Sequence, residues 1–180
     1  MDEGSYSGEY TGKLGYSLYK KYLDSAHTVY YAHSGKENDE PNLCHPTPFF
    51  GECSNASTLS WVDIAVVNKK TDSVELIAEI EESGAEPKKV IGDVVNIMLS
   101  EQVRINGKDY GYGDITFILG VKVNPEGDSE KKTRRICKKL AEINEKTGNK
   151  NMEIIPLFDS DIKALTRKVE REIERRLATT

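Results

Sequence analysis

The chain has 180 residues, a formal net charge of −5 and three cysteines. That length suits one domain, 1–180, with a real core, and no stretch is apolar enough to cross a bilayer. An odd cysteine count argues against a disulfide framework, and Met1-Asp2-Glu3-Gly4-Ser5 lacks the basic and apolar run of a secretory signal, so a reducing, cytoplasmic setting is expected.

Residues 9–24 place Leu14, Leu18 and Tyr22 at helical spacing despite Gly12 and Gly15. His27 to His33, with Val29, Tyr30 and Tyr31, reads as a strand. Residues 34–58 hold Pro41, Pro46, Pro48, Gly35 and Gly51, which predicts a long loop, and loops of that length are functional or disordered. Two strands follow at about 59–68 and 74–82, separated by Lys70-Thr71-Asp72-Ser73. Pro87 opens a helix whose apolar face is Val90, Ile91, Val94, Val95, Met98 and Leu99. The stretch 104–114 is glycine-rich and polar. Ile115 to Val123 reads as a buried strand. Ser129 is positioned to cap a helix with Ile136, Leu140 and Ile143 inward, ended by Gly148. Met152 to Phe158 is a second buried strand. Asp159 or Ser160 caps a last helix with Ile162, Leu165, Val169, Ile173 and Leu177 inward. This order predicts an α/β domain with a mixed sheet, an antiparallel hairpin followed by strands reached through helical crossovers.

The chemistry lies in the two middle strands. Asp63 sits in Trp61-Val62-Asp63-Ile64-Ala65-Val66-Val67, and Glu79 and Glu81 sit in Val74-Glu75-Leu76-Ile77-Ala78-Glu79-Ile80-Glu81-Glu82. Residues two apart on a strand share a face, so Glu79 and Glu81 point the same way. Hairpin pairing brings Asp63 beside Glu79. Three like charges would then converge, and at least one carboxyl should keep its proton unless a cation is bound. A magnesium or manganese ion held by one or two carboxylates and several waters suits phosphodiester chemistry. Glu75 and Glu82 read as solvated strand-face carboxylates.

An acid on one strand, a hairpin, acid-x-Lys on the next, then a helix and another strand resembles the PD-(D/E)xK nuclease superfamily. The resemblance covers about residues 9–123 as an α-β-β-β-α-β core of the restriction-endonuclease-like fold, with a C-terminal α-β-α extension. It implies a mixed central β-sheet flanked by helices and metal-dependent hydrolysis of DNA, in the manner of a type II restriction endonuclease. Asp63 takes the place of the first acid and Glu79 of the second, both as metal ligands. Val62 stands where the motif has proline, and Glu81 where it has lysine. Glutamate occurs there in some restriction enzymes, where it helps orient the attacking water, and the base role would pass to Glu81 or to a metal-bound hydroxide. Lys88 and Lys89 on the following helix offer either a migrated lysine or a solvated first turn. Glu9 offers either a further ligand or an ordinary helix-start acid.

Cys44, His45 and Cys53, with His33 upstream, are candidate zinc ligands. Eight residues separate the two cysteines, wider than a zinc knuckle, so thiols packed under a loop are the preferred reading. Cys137 is expected in the core. The N-terminal tyrosines Tyr6, Tyr10, Tyr16, Tyr19, Tyr22, Tyr30 and Tyr31 read as a half-buried core layer, with base stacking the alternative. Net acidity argues against a nucleic-acid partner, yet residues 128–180 carry 14 Lys/Arg against 10 Asp/Glu. The loop 34–58 and the segment 106–113 are candidates for substrate contact. A chain this short has little room for a separate recognition domain, so sequence-specific double-strand cleavage calls for a homodimer. The competing expectation is a catalytically inactive module of the same fold, acting in nucleic-acid binding or protein interaction.

Overall fold

The computed structural model describes residues 8–84, 86–147 and 151–178. In chain order the elements are α1 (Glu9–Lys21), β1 (His27–Tyr31), β2 (Thr47–Phe49), β3 (Ile64–Asn68), β4 (Ser73–Glu81) and α2 (Pro87–Leu99). They continue with β5 (Gln102–Ile105), β6 (Lys108–Lys122), α3 (Ser129–Thr147), β7 (Met152–Asp159) and α4 (Ile162–Leu177). One curled mixed sheet runs β1-β3-β4-β6-β5-β2, with β7 also on β6. β1, β3 and β4 form an antiparallel meander, while β6 lies parallel to β4 and β7 parallel to β6. The parallel steps β4→β6 and β6→β7 are made by α2 and α3, which lie on one face. α1 and α4 cover the other.

Alternation along the strands feeds two cores. Leu76, Ala78 and Ile80 of β4 pack with Leu14 and Leu18 of α1 and with Leu165, Val169 and Ile173 of α4. Ile77 packs on the opposite face with Val90, Val94 and Ile97 of α2 and Cys137 of α3. By the same alternation, Glu79 and Glu81 face the α2 side. Two glycines let α1 sit hard against the sheet. A methyl group at Gly12 would lie 2.3 Å from the Ser34 carbonyl oxygen, and one at Gly15 would lie 2.5 Å from the Tyr31 Cβ.

Several expectations change. The glycine-rich, polar segment 104–114, to which the sequence assigned no element, is strand apart from its turn. It belongs to a β5–β6 hairpin turning at Asn106 and Gly107, both with positive φ (49° and 79°). Asn-Gly is the strongest short hairpin signal, because both central residues of such a turn need that backbone. Loop 34–58 contains the short strand β2, which pairs with β5. The last strand is not buried; β7 is an edge strand, and Pro156 is tolerated there because an edge leaves one backbone side unpaired. Among the α2 side chains, Ile91 and Leu99 are exposed and Ile97 is buried instead. In α3, Ile136 and Leu140 pack partly buried on the α2-side core as expected, the fully buried positions are Thr133, Cys137 and Asn144, and Ile143 is exposed. Ser129 is the first residue of α3, and its hydroxyl has no hydrogen-bond partner among the described residues, so it is no cap. Asp161, not Asp159 or Ser160, caps α4, accepting from the Lys163 and Ala164 amides. Gly148 lies outside the described residues, as does Tyr6. Tyr16, Tyr19 and Tyr22 pack half-buried against the α1–α4 core, and Tyr31 is fully buried in it. No helix among the described residues is long and apolar enough to cross a membrane.

Candidate functional site

Asp63 immediately precedes β3. Its backbone carbonyl accepts from Ala32 N at 2.8 Å, which fixes it against the end of β1. Its Oδ2 accepts from the Ile80 amide at 2.8 Å, and its Oδ1 lies 3.1 Å from His33 Nε2. The β3–β4 register pairs Ile64 with Ala78, so the next step outward sets Asp63 beside Glu79. The strand pairing inferred from the sequence thus brings the two acids together.

Part of Glu79 reaches the surface, but its carboxyl group is enclosed. Burial first, and then the charges of Asp63 and Asp93, push its pKa well above the ordinary carboxylate range. Glu81, two residues on, is half-buried and lies 3.4 Å from Lys89 Nζ, which also donates to Ser83 Oγ at 3.0 Å. Lys89 of α2 therefore brings a positive charge to Glu81. Lys88 is exposed and pairs with none of these carboxylates.

The sequence reading missed Asp93. One turn after Lys89 on α2, it turns toward Glu81 and Asp63. Its Oδ2 is buried without a hydrogen-bond partner among the described residues. Burial, then Glu81 and Asp63, push its pKa up to about 7. Another helical step on, Asn96 Nδ2 donates to Ser60 Oγ at 3.0 Å. Lys89, Asp93 and Asn96 thus form one polar line along a helix whose neighbouring line is core. A lone acid beside Val90, Val94 and Ile97 was the available signal. His33 was weighed only as a zinc ligand. Its pKa is raised, chiefly by the hydrogen bond to Asp63.

Two carboxylates taken for solvated strand acids have structural partners. Glu82 Oε1 accepts from the Thr11 amide (3.1 Å) and hydroxyl (2.8 Å), capping α1, whose N-cap Gly8 has no side chain to do so. Glu75 accepts from Asn68 Nδ2 at 2.8 Å and lies 3.5 Å from the buried His27. Glu9 pairs with Lys13 at 2.6 Å, so its carboxylate joins α1's own surface and not the cluster.

The four zinc candidates part ways. His33 bonds Asp63, His45 stacks on Trp61, Cys44 is half-buried with its thiol pushed up to about 11, and Cys53 is raised by burial and by Asp109. Among the described residues no three His, Cys, Asp or Glu side chains form a metal-holding group. Magnesium needs only one or two carboxylates and keeps its waters. Asp63 and Glu79 are the carboxylates available to such an ion; both Asp63 oxygens are engaged, by His33 Nε2 and the Ile80 amide, so a cation would share an oxygen with one of them, and Asp93 Oδ2 is buried with no hydrogen-bond partner among the described residues.

The segment 106–113 lies far from this cluster. Gly111 and Tyr112 pair with Ser73 and Val74, whereas Glu79 pairs with Leu119. Six residue steps of extended strand lead from Ser73 to Glu79, about 20 Å. The first half of loop 34–58 does reach the cluster, since Pro46 O accepts from Val62 N at 2.9 Å. No family model, curated protein or solved structure matches the chain, so a functional reading rests on the chemistry of the cluster itself.

Proposed function

We propose that this domain is a metal-dependent endonuclease of restriction-endonuclease-like fold that hydrolyses DNA phosphodiester bonds. The observation that carries the reading is that Asp63 lies beside Glu79 and Asp93 beside Glu81 at one strand end, with the pKa values of Glu79 and Asp93 raised. The strand connectivity supports it, since an antiparallel β1-β3-β4 meander followed by α2 and a parallel β6 is the order that the superfamily's core requires.

Asp63 and Glu79 would hold Mg²⁺ or Mn²⁺, which polarises a phosphate and acidifies a bound water when present. The Ile80 amide holds Asp63 in place through Oδ2. Glu81, tethered by Lys89, is placed to orient a water on the same strand face as Glu79. Asp93 holds a proton near neutrality, which relieves repulsion in the cluster before a cation arrives. Cutting both strands of a duplex would use a homodimer, one cluster per strand.

One observation favours the second reading, a silent module that binds nucleic acid or protein. Both oxygens of Asp63 already have protein partners. The experiment is nicking of supercoiled plasmid with Mg²⁺ or Mn²⁺, wild type against Asp63→Asn. Cutting that vanishes in the variant is the expected result. No cutting by wild type, together with no Mn²⁺ binding by calorimetry, turns the assignment to the silent module.

A further inference from the structure

Trp61 is the chain's single tryptophan, and it is 61 % exposed. An indole is among the largest apolar groups a protein can bury, so one left in water two residues before Asp63 is conspicuous. It is not loose. The His45 ring stacks on it with centroids 4.0 Å apart and planes 23° from parallel. With one ring face covered in this way, exposure that large leaves the other face to solvent. The neighbours of both rings are tied together, because Val62 N donates to Pro46 O at 2.9 Å. Further along both segments, Leu59 N donates to Pro48 O at 3.1 Å, and Ser60 is held by Asn96 of α2. The pair is thus braced between loop 34–58 and the helix that carries Lys89 and Asp93.

We propose that Trp61, backed by His45, is a stacking platform for one base of a single-stranded nucleic-acid segment lying beside the carboxylate cluster. Aromatic faces take any base, because every base has a π-face, and a pre-stacked pair loses little freedom when a third ring is added. A base inside a duplex is already stacked on both sides, so the platform selects an unpaired or splayed nucleotide. The proposal rests on the nucleic-acid reading above and narrows its substrate.

Because Trp61 is the only indole, its own emission reports the contact. The experiment titrates Asp63→Asn protein, chosen to prevent cutting, with a twelve-nucleotide single-stranded oligodeoxynucleotide and separately with its duplex. Saturable quenching by the single strand, stronger than by the duplex, is expected. Anisotropy of a labelled single strand should show about tenfold weaker binding for Trp61→Ala, with Trp61→Phe near the parent. Trp61 is exposed, so neither variant should disturb folding. No quenching, or unchanged affinity in Trp61→Ala, overturns the platform, as does indole quenching that appears only as the protein self-associates. Quenching by a protein that never cuts DNA would keep the platform and sink the nuclease reading. Cutting that is lost in Asp63→Asn and unchanged in Trp61→Ala would do the reverse.

Discussion

At the scale of single residues, the cluster stores unfavourable charge. Asp93 in the folded chain holds its proton up to about 7, whereas an unconstrained Asp loses it near 3.8. A folded pKa raised above the unfolded one means that the folded state binds the extra proton. The stability this group contributes is therefore present in full below 3.8 and is lost as pH rises through about 7. Asp93→Asn should raise stability at pH 8 by about 1–2 kcal/mol, after allowance for partial solvent screening. At pH 4 the gain should be small. Urea denaturation at the two pH values measures this, and equal gains at both would contradict it. Saturating Mg²⁺ should stabilise wild type more at pH 8 than at pH 5, read as a shift in melting temperature. Asp63 and Glu79 could be paired from the sequence because strand alternation and hairpin register are local rules. Asp93 could not, since its approach depends on how α2 lies across the strand ends, which no spacing within 87–99 encodes.

At the scale of elements, helix α1 is held by groups remote in sequence. Glu82 supplies the capping side chain that Gly8 lacks, 71 residues away from Thr11. Glu82→Ala should cost about 1 kcal/mol, the usual loss of a helix cap, while Mn²⁺ affinity measured by calorimetry stays unchanged. A drop in that affinity would make Glu82 a member of the metal site. Gly15→Ala should cost about 2–3 kcal/mol, because the new methyl meets the Tyr31 side chain with no space to yield. The helices of 87–99 and 162–177 were legible through their periodicity. The inward face of α3 was legible only in part: Ile136 and Leu140 pack on the core, but Thr133 and Asn144 are polar yet buried, and a hydrophobic pattern cannot anticipate them. The β5–β6 hairpin had a signal in Asn106-Gly107, hidden by a glycine-rich, polar context that suggested no element.

At the scale of the whole molecule, the sheet separates its two ends. The carboxylates occupy the end where β4 and β6 finish, and the Tyr110–Gly113 segment occupies the other. Lys108→Ala removes a surface pair with Asp72 at that far end, so plasmid cutting by this variant should match wild type. Reduced cutting would place substrate across the full length of the sheet. The meander-then-crossover order was legible from element sequence alone, but the curl that brings β2 back onto β5 was not, because it depends on how loop 34–58 folds over an edge.

Helix α4 lies behind the strand that carries the acids. Gly120 of β6 leaves room for Val169, where a methyl group would come within 2.9 Å, and Ile80 and the Glu79 carbonyl border the same spot. The back wall and the acid-bearing strand therefore share one close contact. A shortened protein ending after β6 would keep every acid of the cluster yet expose Leu76, Ala78 and Ile80 to water. The smallest version able to hold those acids in place extends through the final helix.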